Sequence, residues 1–224
     1  MKSISVVIPA YNEETNIRKT IRAVLKVKGV EQIIVVDDGS TDKTAEYAHN
    51  EGVELIRLKN NLGKGKALNL GCLQCNRELI ALIDADLCES ANELAKLVEP
   101  VTNHEADMTI AAFPRAKKKG GIGLVKALAN LGIRAYGGDN FKAPLSGQRV
   151  MNRKAFNEVF PFATGFGVEV VATIKALQKG LLVKEVETQM SHRETGRSIS
   201  DFTHRGKQFY HILFSLFRLR LWGN

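Results

Sequence analysis

Three short clusters hold much of the carboxylate chemistry in the first half of the chain: Tyr11-Asn12-Glu13, Asp37-Asp38 and Asp84-Ala85-Asp86. Each follows an apolar run, at residues 3–8 (closed by Pro9), 33–36 and 79–83. Grouped carboxylates suit a hard divalent ion, which one or two such side chains hold together with the phosphate oxygens of a ligand. That chemistry is Mg2+ or Mn2+ bridging a diphosphate. The usual fingerprints of nucleotide-binding glycine loops are missing. Gly63-Lys64-Gly65 lacks the third glycine of a dinucleotide loop and follows the third apolar run rather than the first, and no GxxxxGK[ST] occurs. Lys64 suits a diphosphate as a point charge, or is a solvated lysine in a glycine turn.

The elements that must bring these clusters together follow from the periodicity. Ile17, Ile21, Val24 and Leu25 repeat at helical spacing after Thr15, a candidate cap. Helical patterns recur over 43–51, 66–74 and 93–101, and apolar runs over 53–57 and 108–112. Helices alternating with continuous apolar runs predict a parallel sheet covered on both faces. Ligands of such sheets bind at the carboxyl ends of the strands, where all three clusters fall.

The second half is less regular. Residues 115–121 form a basic, glycine-ended loop; a helix is expected over 124–136 and a break at 137–139. Pro144-Leu145-Ser146-Gly147-Gln148 leads into a short strand and helix, and Gly165-Phe166-Gly167-Val168-Glu169 opens an amphipathic helix to residue 179. A strand at 182–186, a polar basic stretch at 192–205 and an apolar stretch at 209–222 complete the chain. With 224 residues, no internal repeat and no long linker, a single domain is expected.

A chain with 44% hydrophobic and 25% charged residues, 19 Gly and 5 Pro is neither disordered nor collagen-like. Its 3 Cys cannot all pair, and Cys72 and Cys75, a CxxC inside an apolar helical run, are structural thiols rather than a zinc or redox pair. The first apolar run is too short for a signal segment, and no window of about 18 apolar residues exists to cross a membrane, so a cytoplasmic protein is expected. The net charge of +8 favours an anionic partner: a phosphate compound, nucleic acid or a membrane surface. Nucleic acid is excluded as the expected partner, because no recognition motif accompanies the charge and acidic residues crowd the cleft.

Val7-Ile8-Pro9-Ala10-Tyr11-Asn12-Glu13, Val35-Val36-Asp37-Asp38-Gly39-Ser40-Thr41-Asp42, Asn61-Leu62-Gly63-Lys64-Gly65 and Asp84-Ala85-Asp86 occur in that order over residues 3–112. In order and spacing they strongly resemble family 2 glycosyltransferases of the GT-A fold. Pro144-Leu145-Ser146-Gly147, Gly165-Phe166-Gly167-Val168-Glu169 and His192 are similar to glucosyl-3-phosphoglycerate synthases, and polyprenyl-phosphate sugar transferases share parts of the pattern. The resemblance implies an α/β fold, a GT-A-like three-layer α/β/α sandwich with a mostly parallel sheet. Residues 1–112 would be its nucleotide-sugar-binding half and 113–224 its acceptor-binding and closing half.

The resemblance also assigns roles. Pro9, Ala10, Tyr11, Glu13 and Asp38 hold the nucleoside, with the Asp38 carboxylate accepting the uracil imide N–H that cytosine lacks. Taken alone, Asp38 is equally a helix cap or an Asx-turn within Asp37-Asp38-Gly39-Ser40. Asp84-Ala85-Asp86 is the family's DxD, elsewhere a common turn or cap. In it Asp86 is the expected metal ligand, and Asp84 is expected to face the ribose or a metal-bound water. His192 completes the metal shell, or is a loop histidine bonded to backbone. Arg193 and Arg197 neutralise the departing diphosphate, or are solvated. Ser146, Gly147 and Gln148 meet the sugar or acceptor. Glu169 takes the acceptor proton as general base or orients sugar hydroxyls, and otherwise is an acid favoured at a helix N-terminus. Many inverting members carry a Glu-Asp or Asp-Asp pair here where this chain has Glu169-Val170, so the base and the anomeric outcome stay open, with a lean to retention.

The expected function is metal-dependent transfer of a hexosyl group from a nucleoside-diphosphate sugar, UDP-linked, to an acceptor hydroxyl or phosphate, the acceptor being phosphorylated or lipid-linked. A sugar-phosphate nucleotidyltransferase is the first rival, but it needs a Gly- and Arg/Lys-rich loop that residues 9–13 do not provide. An inactive nucleotide-sugar-binding or scaffold relative is the second, and Asp84, Asp86 and Glu169 stand against it. Residues 115–119 attract a phosphorylated acceptor or are a solvated loop. The stretch 209–222, with Arg218 and Arg220, lies on an anionic membrane or packs within its own domain or a homodimer, so a peripheral place at the inner face of the membrane stays open.

Overall fold

The structure, a computed structural model, describes residues 2–114, 123–136, 138, 140–163 and 167–191. Seven strands, β1 (Ile4–Ala10), β2 (Val30–Asp37), β3 (Glu54–Arg57), β4 (Leu79–Leu82), β5 (Met108–Ala112), β6 (Arg149–Asn152) and β7 (Val183–Glu187), form one sheet in the order β3-β2-β1-β4-β6-β5-β7. All neighbours pair in parallel except β6, which runs antiparallel to both β4 and β5. The helices are α1 (Ile17–Leu25), α2 (Thr44–His49), α3 (Lys64–Cys72), α4 (Leu94–Thr102), α5 (Gly123–Ala135), α6 (Arg153–Val159) and α7 (Val168–Gln178), and a 3-10 turn over Cys88–Glu93 precedes α4.

Alternation along the strands sends side chains to both faces. Ile4, Val6 and Ile8 of β1 pack with Ile17, Ile21 and Val24 of α1 and with Leu94 and Leu97 of α4. Val7, between them, joins Ile34, Val36 and Ile80 against Leu68 of α3, Phe156 of α6 and Ala172 of α7. Each such aliphatic side chain, fully buried, is worth about 1.5–3 kcal/mol, so both faces stabilise the sheet. A Cβ on Gly71 would lie 2.6 Å from Val7 Cγ1 and 2.8 Å from Val36 Cγ2, so α3 rests directly on β1 and β2.

The expected three-layer α/β/α sandwich with a mostly parallel sheet is what the chain forms. Three local expectations are corrected. The residue before α1 is Asn16, not Thr15, and its side chain makes no cap bond. The third helix begins at Lys64, two residues earlier than the apolar pattern starts, because Gly63 at φ 89° turns the chain into it. The last strand is shifted to Val183–Glu187 because it pairs in parallel with Met108–Ala112. Among the described residues no helix is long and apolar enough to cross a membrane. The basic loop at 115–121 and the stretches 192–205 and 209–222 lie outside the described residues.

Candidate active site

At the carboxyl edge of the sheet, the loops after β1 and β2 are stitched together. Asn12, at φ 55°, donates its N–H to Ser40 Oγ at 2.9 Å, and its Oδ1 accepts the Thr41 N–H at 2.9 Å. Glu13 donates its N–H to Thr44 Oγ1 at 2.7 Å. The turn at the end of β2 is closed by Asp37, whose Oδ1 accepts the Ser40 N–H at 3.1 Å; the Asx-turn thus belongs to Asp37, not Asp38. On this platform Ala10 is buried, while Tyr11 is 46% exposed beside the cleft.

Asp38 has a different task. Its Oδ1 accepts the Leu62 N–H at 2.7 Å and its Oδ2 the Gly63 N–H at 2.8 Å, while its own N–H donates to the Ala10 carbonyl at 2.8 Å. Hydrogen bonds to an ionised acceptor are the strong ones, so this buried carboxylate fixes the approach to α3. Gly39, at φ +76°, is pressed on the same segment; a Cβ there would stand 2.7 Å from the carbonyl carbon of Asn60. Each Asp38 oxygen keeps a second lone pair.

The loop so held delivers Lys64. Its Nζ lies 2.7 Å from Asp84 Oδ1 and 3.2 Å from Glu169 Oε1. Desolvation works against the ammonium, but Asp84 and Glu169 outweigh it and raise the Lys64 pKa above its ordinary value. Gln148 Nε2 donates to Asp84 Oδ2 at 2.9 Å. A Cβ on Gly147 would stand 2.5 Å from Lys64 Nζ and 3.1 Å from Asp84 Oδ2, so the glycine makes room for the pair. The direction of β6 explains the meeting: Leu82 pairs with Arg149, so the residues before β6 enter where those after β4 leave. Asp84, expected to face a ribose or a metal-bound water, lies against Lys64 and Gln148.

Asp86 follows, half-buried, on a turn that α1 holds in place. Thr20 Oγ1 donates to the Ala85 carbonyl at 2.7 Å and accepts the Cys88 N–H at 2.9 Å. Burial, then Glu89, push the Cys88 thiol up against the pull of Lys19, with smaller contributions from Asp86 and Glu13. Asp86 offers oxygen donors to a hard cation. Among the described residues no three His, Cys, Asp or Glu side chains group around a metal position. His192, Arg193 and Arg197, and the Gly165-Phe166 approach to Glu169, lie outside the described residues.

Pro9, Ala10, Tyr11, Glu13, Asp38, Lys64, Asp84, Ala85, Asp86, Ser146, Gly147, Gln148 and Glu169 therefore share one edge of the sheet. Two contributors were missed, and both left a signal. Thr20 is a polar residue on the buried stripe of α1, and Arg149 is a charge at the head of an apolar strand. Cys72 and Cys75 lie at the far end of α3, away from this edge.

The family model of glycosyl transferase family 2 matches residues 5–165. An uncharacterized protein of Methanocaldococcus jannaschii is 34% identical over 205 residues, covering 87% of this chain and 84% of that protein. The undecaprenyl-phosphate 4-deoxy-4-formamido-L-arabinose transferase of Photorhabdus laumondii is 36% identical over 109 residues, 44% of this chain and 34% of its own length. A crystal structure of glucosyl-3-phosphoglycerate synthase from Mycobacterium tuberculosis, in complex with Mn2+, UDP and phosphoglyceric acid, superposes with a TM-score of 0.76 at 26% identity, over 96% of this chain and 78% of that one. The family match over residues 5–165 and the shared architecture agree, and the chain belongs to glycosyl transferase family 2, a glycosyltransferase of the GT-A fold.

Proposed function

We propose that the protein transfers a hexosyl group from a UDP-sugar, held with Mg2+ or Mn2+, to an acceptor that carries phosphate. The observation that carries this reading is the convergence of Lys64, Asp84 and Glu169 beside Gly147 at the carboxyl edge. It is supported by the ligands of the synthase, which was crystallised with Mn2+, UDP and phosphoglyceric acid. The arabinose transferase, named for undecaprenyl phosphate, supports a phosphate on the acceptor and leaves its carrier, small molecule or lipid, as the next question.

In this reading the uridine lies on the Pro9–Glu13 platform with its base toward Tyr11 and Asp38. The diphosphate lies at the N-terminus of α3, where the helix dipole favours an anion. Lys64 pairs with Asp84 and Glu169 in the structure and turns toward the phosphate charge when the donor enters. Asp86 with His192 would hold the divalent ion, and Arg193 and Arg197 would cover the leaving group. The ion, when bound, supplies positive charge that stabilises the departing diphosphate. Glu169, in the first turn of α7, then faces the acceptor side, where it takes the acceptor proton or orients the sugar. With Val170 after it rather than a second acid, we favour retention, in which the leaving diphosphate oxygen takes that proton. Residues 1–112 form the donor half and 113–224 the acceptor and closing half.

A thermal-shift plate of UDP, GDP and their sugars, with and without Mn2+, tests the donor. UDP compounds should stabilise the protein more than GDP compounds, and Mn2+ should enlarge the difference; equal shifts from UDP and GDP would reject the uracil assignment.

A further inference from the structure

Arg149 opens β6 in the middle of the sheet, opposite Leu82 of β4 and Ile110 of β5, and is only 1% exposed. Among the described residues no carboxylate pairs with it. Its Nε donates to the Ser146 carbonyl at 3.1 Å and its Nη1 to Thr173 Oγ1 at 2.9 Å, while Nη2 is buried without a hydrogen-bond partner. Burial draws its pKa down to about 10, opposed by the more distant charges of Glu169 and Glu185. A buried cation without an ion pair is costly, and an apolar residue would fill the space without that cost. Packing therefore does not account for an arginine here.

Its bonds lead to the two sides of the site. Ser146 immediately precedes Gly147 and Gln148, which line and hold Asp84. Thr173 passes the contact on, its Oγ1 donating to the Glu169 carbonyl at 2.9 Å. One guanidinium thus ties the entrance of β6 to the first turn of α7, and between those two segments Lys64 meets Asp84 and Glu169.

We propose that Arg149 is a positioning residue: through Thr173 and the Ser146 carbonyl it sets Glu169 at its distance from Lys64 and Asp84. Its consequence for turnover rests on the role given to Glu169 above, while its geometric content does not.

The test uses Thr173→Val, which keeps the shape of the side chain and removes the bridging hydroxyl, with Thr173→Ser to restore it. Acetylation of Lys64 by acetic anhydride, followed by mass spectrometry, requires the neutral amine and so reports how well its two carboxylates hold it. Lys64 should label several-fold faster in Glu169→Gln and faster in Thr173→Val, whereas Glu169→Gln/Thr173→Val should label no faster than Glu169→Gln alone, since one contact is broken in each. Thr173→Ser should label as slowly as the unmodified protein. UDP release from a turned-over UDP-sugar should fall in Thr173→Val while calorimetric affinity for UDP with Mn2+ stays unchanged. Arg149→Lys should retain more protection than Arg149→Met, and where the Met variant does not fold, the Thr173 pair decides the matter. Thr173→Val labelling like the unmodified protein, or adding fully to Glu169→Gln, would overturn the proposal. Full turnover in Glu169→Gln would instead remove the catalytic role of Glu169 and leave the labelling result standing.

Discussion

Lys64 Nζ and Glu169 Oε1 stand 3.2 Å apart, joining the first turn of α3 to the first turn of α7 across the carboxyl edge of the sheet. Both helices thus turn their positive ends toward one cleft, where anionic charge is favoured. Lys64 pairs with both carboxylates there, so a donor diphosphate meets a cation that already has partners.

Glu169→Gln keeps shape and hydrogen bonding but cannot take a proton. As general base of an inverting reaction, its loss should lower turnover by about 10²–10⁴ with UDP binding nearly unchanged. In a retaining reaction the loss should be smaller. Product configuration by NMR beside the variant's rate separates the two, and an inverted product at undiminished turnover would take Glu169 out of the mechanism.

Asp38→Asn replaces an acceptor-only carboxylate with an amide whose NH2 must face either the Leu62 or the Gly63 N–H. The expected cost is about 1–3 kcal/mol of folding stability for the lost charged bond and the unpaired donor, measurable by urea titration. UDP affinity should fall as well. A variant with native stability but weakened UDP binding would show that the carboxylate serves the base alone.

Gly147→Ala puts a methyl group 2.5 Å from Lys64 Nζ, closer than the two can stand. The far end of a lysine gives way easily, so the fold should survive while Lys64 is displaced from Asp84. Circular dichroism should match the unmodified protein, and UDP affinity should drop.

Asp86→Ala removes the carboxylate assigned to the divalent ion. Calorimetry should show that Mn2+ no longer strengthens UDP binding; an undiminished enhancement would place the ion elsewhere.

Much of this architecture is written in local pattern. Continuous apolar runs such as Ile33–Val36, short and rich in β-branched residues, read as buried strands, and they deliver Asp37, Asp38, Asp84 and Asp86 to one edge. What local pattern does not carry is pairing. β6 is a strand of 4 residues beginning with an arginine, and nothing in Arg149-Val150-Met151-Asn152 announces that it inserts against the direction of its neighbours. That insertion brings Gly147 and Gln148 to Asp84. Asp38 shows the same limit: a carboxylate after a strand is visible as a site residue, but its bonds to Leu62 and Gly63 depend on where a distant loop closes.

The reversed strand has an engineering consequence. Because β5 and β6 are antiparallel neighbours, with Ile110 opposite Arg149 and the Ala111 N–H bonded to the Gln148 carbonyl at 3.0 Å, the chain that leaves the sheet after Ala112 returns beside its own point of departure. The excursion between them is anchored at both ends like the insert of a hairpin, and such inserts tolerate replacement when their ends stay close. Within that excursion Ala129 and Ile133 of α5 and Phe141 pack on Ile110 of β5 and on Val170 and Ile174 of α7, so any replacement must carry the same apolar face. Grafting the corresponding excursion from a relative, with those apolar positions kept, should yield chimeras that keep the carboxyl edge of the sheet, and a family of such grafts would test how far acceptor choice travels with this one segment.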